Sequence, residues 1–190
     1  MLDQREAATA PGLSEETVRR IVQEELERAA RLDQGPKRAA IIASKGTLDW
    51  AYPPLILATT AAASGMDASV FFTFYGLDII HKDFEHKLKV SPVGNPAMPM
   101  PVPMPSLVTV LPGMGPLATS MMKSKFQGKH VAPIRELLES AQELGVHLIA
   151  CQMTMDVFGY TQDDFIDGVE FAGAAKFLAD ARQAHVTLFV

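Results

Sequence analysis

Cysteine and net positive charge are the features that this 190-residue sequence most lacks. Its one cysteine, Cys151, excludes a disulfide within the chain and therefore a disulfide-stapled secreted scaffold. The formal net charge is −5, which argues against a dedicated nucleic-acid binder, because such affinity rests on clustered positive charge. The first residues contain no apolar run and no signal-peptide layout, so we expect a cytoplasmic protein.

Charged residues are also absent from residues 90–122. An uncharged run of this length suggests a membrane span, but it contains eight prolines, and four of them occupy every second position from 99 to 105. Each proline inside a helix costs about 3 kcal/mol, so a continuous helix is excluded. We expect an extended excursion over 90–112 and a short helix over 113–127, and contact with a membrane surface stays open.

Six of the ten methionines lie between residues 98 and 122. Methionine is adaptable and is common at surfaces that bind apolar or varied partners. This Pro/Met-rich segment, residues 90–127, is therefore either a flap on its own core or subunit interface, or a cover over a reactive group or docking face. A methionine–copper site needs nearby His or Cys, and none occurs between Lys89 and Lys123, so we predict no metal.

Short apolar segments alternate with helical ones over residues 37–190. We predict strands at 39–44, 68–74, 146–150, 169–171 and 186–190, and helices at 53–63, 133–144 and 172–183. This alternation indicates an α/β fold with an open parallel sheet and helices on both faces. Right-handed crossovers place the loops that follow the strands along one edge, where ligands and reactive groups gather.

An N-terminal tail and amphipathic helix occupy residues 1–36. Ser14 is a suitable N-cap, and Glu15 and Glu16 fall in the first turn, where the helix dipole favours negative charge. Apolar residues at helical spacing predict an amphipathic helix over residues 14–32. This narrow apolar stripe must pack on its own domain, on a sister subunit or on a different partner.

Cys151 is the residue with clear reactive potential. It follows an apolar strand and precedes a segment that can turn into a short helix. Free N–H groups and the positive end of the helix dipole at such a junction stabilise a thiolate. A buried structural cysteine is the alternative, because cysteine is often packed as a small hydrophobe.

Spacing excludes several cysteine chemistries. Thr154 stands where a Cys-x-x-Cys motif needs its second cysteine, and Val157 where a cysteine phosphatase needs arginine. The common thiol peroxidases have Pro and Thr where this chain has Leu144 and Leu148. The remaining chemistry is a lone thiol that forms a persulfide or mixed disulfide and passes it to another protein. It requires Cys151 to be ionised and reachable.

Weaker candidates are titratable side chains elsewhere in the chain. For His81 and His86 a solvated charged face is favoured over a metal site, since their spacing puts them on different helix faces. Residues 44–47 favour a plain turn over an anion cradle. For His147, on the same strand face as Cys151, we favour a core histidine over a catalytic base. The lysines and histidine of residues 123–130 form a basic cluster, either merely solvated or suited to an acidic partner.

Three segments together resemble the DsrE/DsrF-like family, in particular its long subgroup often labelled "peroxiredoxin family protein". The resemblance covers roughly residues 37–190 and leaves the helix at 14–32 outside it. The segments read IACQMTMDVFGYTQDDFIDGVEFAGAAKFL, SKGTLDWAYPPLILATTAAASGMDASVFFTFYGLD and NPAMPMPVPMP…LPGMGPLATSMMKSK.

The resemblance implies a flavodoxin-like α/β sheet, assembly into oligomers, and sulfur relay through a persulfide on Cys151 without a cofactor. Related proteins exchange sulfur with rhodaneses and with small carriers of the TusA type, and some members are thought to be membrane-associated. We therefore expect a cytoplasmic homo-oligomeric sulfur carrier or sulfurtransferase. The competing expectation is a non-catalytic oligomeric scaffold or regulatory subunit, in solution or at a membrane surface, that docks partners through its Met-rich flap.

Overall fold

The computed structural model describes residues 14–32, 37–90, 114–129 and 131–190. The chain divides into two compact units, Met1–Pro36 and Lys37–Val190. The excursion predicted over residues 90–112, beyond Val90, lies outside the described residues, and so does His130 of the basic cluster.

The first unit contains one described helix, α1, Glu15–Leu32. Its N-terminus is capped as predicted, because the backbone N–H of Thr17 donates to Ser14 Oγ over 3.2 Å. Two acidic side chains occupy the first turn, where they offset the helix dipole. The apolar stripe is exposed, with Leu26 at 64%, so the described part of this unit does not cover it.

The second unit is built on five parallel strands in the order β4-β3-β2-β1-β5. The strands are β1 Arg38–Ala43, β2 Asp67–Phe72, β3 His147–Cys151, β4 Val169–Ala172 and β5 Val186–Phe189. All five occur where the sequence predicts them, to within two residues. The predicted open parallel α/β sheet of the flavodoxin-like class is therefore confirmed.

Six α-helices of the described residues accompany the sheet. They are α2 Leu48–Ala63, α3 Phe84–Lys87, α4 Met114–Gln127, α5 Ile134–Glu143, α6 Gln152–Phe158 and α7 Ala174–Ala181. Short 3₁₀ helices occupy Phe74–Ile79 and Gln162–Asp164. None of the helices in the described ranges is long and apolar enough to cross a membrane.

Helix α2 begins five residues before its predicted start at Pro53. Proline is common in the first turn of a helix, which makes Pro53 look like a beginning. The turn before it is nevertheless helical, because the N–H groups of Trp50 and Ala51 both donate to the Thr47 carbonyl. The Leu48 N–H donates to the Lys89 carbonyl, and this bond ties the helix start to a distant segment.

Strand order and chain order together decide which face each helix covers. From β1 to β4 the chain advances one strand at a time in one direction, and α2, α5 and α6 lie in those connections. The connection from β4 to β5 runs back across the sheet and contains α7. Since parallel crossovers are right-handed, α7 falls on the opposite face.

Successive residues of a strand point to opposite faces, so the sheet has two separate cores. The first face carries Phe72 and Leu148 and packs against Leu55 of α2 and Leu138 of α5. The second face has a much smaller core. Its buried members are Ala40, Phe71, Ile149, Cys151 and Phe177.

Candidate functional site

Cys151 is the last residue of β3 and the N-cap of α6. Its backbone is extended, with φ −73° and ψ 108°, and the helix begins at the next residue. The structure therefore places Cys151 at the strand-to-helix junction expected from the sequence. The strand is an inner one, flanked by β2 and β4.

The Cys151 side chain is buried, with 3% of its surface exposed. Strand alternation puts it on the second face with Ile149, where it belongs to the small core beneath α7. It makes no capping hydrogen bond to α6. Persulfide transfer requires a reachable thiol, and in this conformation the Cys151 thiol is covered within the small core.

Helix α7 covers this part of the second face through one aromatic side chain. Phe177 is the buried residue of the helix, and its ring stacks on Phe71 at 4.8 Å between centroids. The helix starts at Ala174, two residues after Ala172, the residue of β4 that pairs with Cys151. Its neighbour Leu178 is 63% exposed. Phe177 is therefore the buried side chain that α7 contributes to the small core containing Cys151.

Exposed apolar side chains lie on the segments that follow β2 and β3. We call Phe74, Tyr75, Met153 and Val157 the apolar rim, and each is more than half exposed. Residues 74 and 75 follow β2, and residues 153 and 157 are one turn apart on α6. The rings of Tyr75 and Phe158 are 5.6 Å apart and connect the two segments. The carboxyl edge next to Cys151 thus offers apolar surface of the kind that protein partners use.

Thr154 fastens α6 to the loop after β2. Its side chain is 2% exposed, and Thr154 Oγ1 lies 3.1 Å from Thr73 Oγ1 and accepts a 3.3 Å hydrogen bond from the Phe74 N–H. Phe74 has φ +47°, which is rare for a bulky residue and stores strain that the surroundings must hold. Sequence reasoning used Thr154 only to exclude a dithiol motif and missed this contact, since no local pattern signals it.

The loops after β1 and β2 approach each other closely. A Cβ added to Gly46 would lie 2.1 Å from the Tyr75 carbonyl oxygen, and one added to Gly76 would lie 2.1 Å from the Ala43 carbonyl oxygen. Only glycine fits at these two positions. Residues 44–47, predicted as a turn, form the loop between β1 and α2, and Gly46 makes this close contact.

A hydrogen-bonded cluster of three polar side chains fixes the position of the segment that follows α6. Lys87 Nζ donates to the Tyr160 hydroxyl at 2.7 Å, and that hydroxyl donates to Asp78 Oδ1 at 3.1 Å. Burial lowers the pKa of Lys87, but the hydrogen bond to Tyr160 and the Asp78 carboxylate outweigh it, so the pKa lies above its usual value. The group ties the chain beyond α6 to α3 and to the 3₁₀ helix after β2.

The two histidines before α4 do not form a metal site. His86 is exposed and pairs with Asp83 at 2.5 Å, as expected of a solvated charged face. His81 instead packs against the rings of Tyr160 and Phe165. Burial, and then the Lys87 ammonium, hold the pKa of His81 below its usual value. In the part of the chain that the structure describes, no group of three or more His, Cys, Asp or Glu residues has an arrangement that could hold a metal ion.

The prediction of a core histidine at position 147 is wrong. His147 shares the face of Cys151 as expected, but its side chain is 53% exposed. It starts β3 at the amino edge, beyond the small core, so nothing apolar buries it. Its Nδ1 lies 2.6 Å from Glu170 Oε1, and its Nε2 lies 3.6 Å from Asp67 Oδ1.

These features define an open parallel α/β protein with a single thiol at the carboxyl end of an inner strand. The chain belongs to the DsrE/DsrF/DrsH-like family, whose model matches residues 35–189. The family resemblance found in the sequence is thereby confirmed.

Two relatives and one solved structure show how far the likeness extends. Sulfur carrier protein DsrE2 of Allochromatium vinosum is 53% identical over 158 residues, which are 81% of this chain and 98% of that protein. Uncharacterized protein YrkE of Bacillus subtilis is 34% identical over 164 residues, covering 81% of this chain and 97% of that protein. The crystal structure of the YchN protein of E. coli matches with a TM-score of 0.51 at 16% identity, covering 81% and 99% of the two chains. That structure supports the fold alone.

Proposed function

We propose that this protein is a sulfur carrier that holds sulfane sulfur as a persulfide on Cys151 and passes it to an acceptor protein. One observation carries the proposal. The single thiol of a chain that is 53% identical to a sulfur carrier protein stands at the carboxyl end of an inner strand. Reactive groups gather at that edge of parallel α/β sheets.

The transfer consists of two nucleophilic displacements at sulfur. The Cys151 thiolate attacks the outer sulfur of a donor persulfide, a new S–S bond forms, and the donor's own S–S bond breaks to release the donor thiolate. The acceptor thiolate then attacks the outer sulfur of the Cys151 persulfide and releases the Cys151 thiolate. Each step breaks one S–S bond and forms one, so no external oxidant or reductant is consumed.

The position of Cys151 suits a carrier that must protect its cargo. In the closed conformation the small core surrounds the thiol with apolar side chains and excludes water and stray thiols. Exchange then requires α7 to move, which uncovers the thiol beside the apolar rim. A partner that docks on the rim would reach the sulfur without unfolding the first-face core.

The finer features of this role form part of the proposal. The donor is rhodanese-like, the acceptor is TusA-like, and the protein acts as a cytoplasmic homo-oligomeric sulfurtransferase. Residues 1–36 form a separate N-terminal part, and residues 37–190 form the sulfur-carrying domain with the Pro/Met-rich segment 90–127 inserted in it.

Polysulfide loading followed by mass spectrometry tests the role of Cys151. The folded protein should gain the mass of one sulfur atom, and Cys151→Ser should gain none. Loaded protein mixed with a thiol-containing acceptor should lose that mass as the acceptor gains it. The urea-unfolded chain is the control for accessibility. If it loads while the folded protein stays unmodified over the time that loads a known carrier, the proposal is wrong.

The 3% exposure of Cys151 favours a second candidate function. In a non-catalytic scaffold or regulatory subunit the thiol would simply be packed, and the apolar rim would be the working surface. Native-state alkylation separates the two functions. A carrier should react with iodoacetamide much faster than the chain unfolds globally, whereas a scaffold should react no faster than global unfolding allows.

A further inference from the structure

A cavity of 220 Å³ lies at the carboxyl edge of the sheet, on the first face. It is partly open to solvent and lies where α2 and α5 begin, beside residues of α3 and α4. Its wall is almost entirely apolar. The lining side chains that carry the argument are Leu48, Tyr52, Phe84, Leu88, Phe126 and Ile134. Cys151 is not among the lining residues and lies on the other face, so this cavity is separate from the thiol site.

Tyr52 contributes a hydroxyl group to the wall of the cavity. Tyr52 is 8% exposed, its ring packs edge-on against Phe126 at 4.7 Å, and no hydrogen bond joins its hydroxyl to any other described residue. Burial raises the pKa of Tyr52, which keeps the hydroxyl protonated and able to donate. Since no described residue bonds to it, this hydroxyl is available to donate a hydrogen bond to a ligand oxygen.

The rim of the cavity supplies a positive charge. Lys123 lies on the rim and forms no ion pair with another described residue. The one rim carboxylate, Glu85, is already engaged, because Arg135 donates to Glu85 Oε1 from two nitrogens at 2.6 and 3.1 Å. From residue 86 to residue 135 the sequence has six lysines and arginines and no acidic residue. A ligand at this rim therefore meets net positive charge.

Volume limits the size of the ligand. A cavity of about 150 Å³ in another protein binds benzene, whereas drug-sized ligands need about 300–1,000 Å³. A space of 220 Å³ lies between these values. It suits an apolar body of about six to eight carbon atoms.

We propose that this cavity binds a small carboxylate with an apolar tail. The tail lies among the aliphatic and aromatic side chains of the wall. The carboxylate faces the Lys123 ammonium and accepts a hydrogen bond from Tyr52. The proposal is independent of the sulfur-carrier role, since no residue of the cavity belongs to the small core around Cys151.

Titration calorimetry of the full chain with octanoate tests this site, with 1-octanol as the uncharged comparison. Octanoate should bind saturably and more tightly than octanol. Lys123→Gln should weaken octanoate binding by about fivefold, corresponding to roughly 1 kcal/mol for a partly solvated charge contact, and should leave octanol unchanged. Tyr52→Phe should also weaken octanoate binding. Lys125→Gln, an exposed lysine on the same helix that does not line the cavity, is the matched control and should bind as wild type does.

Methyl NMR locates the ligand without any substitution. Octanoate should shift the signals of Leu88 and Ile134, which line the cavity, and leave those of Ile149 on the second face unchanged. Absence of saturable binding overturns the proposal. So does saturable binding that shifts Ile149 instead of Ile134, or that Lys123→Gln and Lys125→Gln weaken equally.

Discussion

Replacement of Phe177 by alanine should make Cys151 much more reactive, because Phe177 is the buried side chain that anchors α7 in the small core containing Cys151. It is 4% exposed, it stacks on Phe71, and it is the buried residue of its helix. If α7 lifts while the rest of the sheet stays folded, the main loss of burial is that of this one ring.

The magnitude follows from the burial of Phe177. Burying a phenylalanine side chain contributes about 1.5–3 kcal/mol. If lifting α7 costs this free energy, α7 is lifted and the thiol is uncovered about 1–8% of the time. Without the ring, most of the free-energy difference between the closed and the lifted position of α7 is lost. The rate of native-state alkylation should therefore rise by about 10- to 100-fold in Phe177→Ala.

Two control variants separate local opening from general destabilisation. Leu178→Ala changes the adjacent exposed side chain on α7 and should leave the rate unchanged. Leu138→Ala removes a buried side chain of the first-face core and costs about 2–5 kcal/mol, comparable with about 3–5 kcal/mol for Phe→Ala. Stopped-flow alkylation in buffer without denaturant gives the rates. Equal acceleration in Leu138→Ala and Phe177→Ala would mean that the thiol is exposed by global unfolding, and the reasoning about α7 would be refuted.

Two further predictions concern stability. Thr154→Val keeps the shape of the side chain but removes both hydrogen bonds to the loop after β2, so urea unfolding should show a loss of about 1–3 kcal/mol; an unchanged midpoint would contradict the contact. His81 has a folded-state pKa below its unfolded value, so the unfolded chain binds the proton more readily and stability should fall as the pH drops below about 6.5. His81→Gln should reduce that dependence between pH 7 and pH 5, and an identical pH profile would show that His81 does not contribute.

The sheet and the position of Cys151 could be predicted because both follow from local pattern. Apolar runs alternate with helical segments, and the residue after the run VHLIA has to end a strand. Strand register and strand order could not be predicted in this way, because they depend on which distant segments pair. The return of β5 to the side of β1 is not encoded in any single segment. Because the sequence does not reveal the position of β5, it could not show that Cys151 and Phe177 share a core.

The residues that sequence reasoning misplaced lie where tertiary contacts override local pattern. His147 reads as a core residue because it begins an apolar strand, but the small core stops short of the amino edge. Thr154 reads as an ordinary helix residue, yet its hydroxyl is the contact between two loops. Neither outcome can be found from spacing, because each depends on a neighbour at least 20 residues away in the sequence.

The reversal in strand order also explains how stability and reactivity can be separated in this fold. Three of the four crossover connections run in one direction and place their helices on the first face, where nearly all of the large buried side chains lie. The single reversed connection leaves the second face to α7, which has eight residues and one buried ring. We expect a movement of α7 to uncover Cys151 without disturbing the first-face core, because Phe177 and Cys151 belong to the separate small core of the second face. Because the thiol lies on the thinly covered face, it can be sealed at rest and uncovered for a small fraction of the free energy that global unfolding requires.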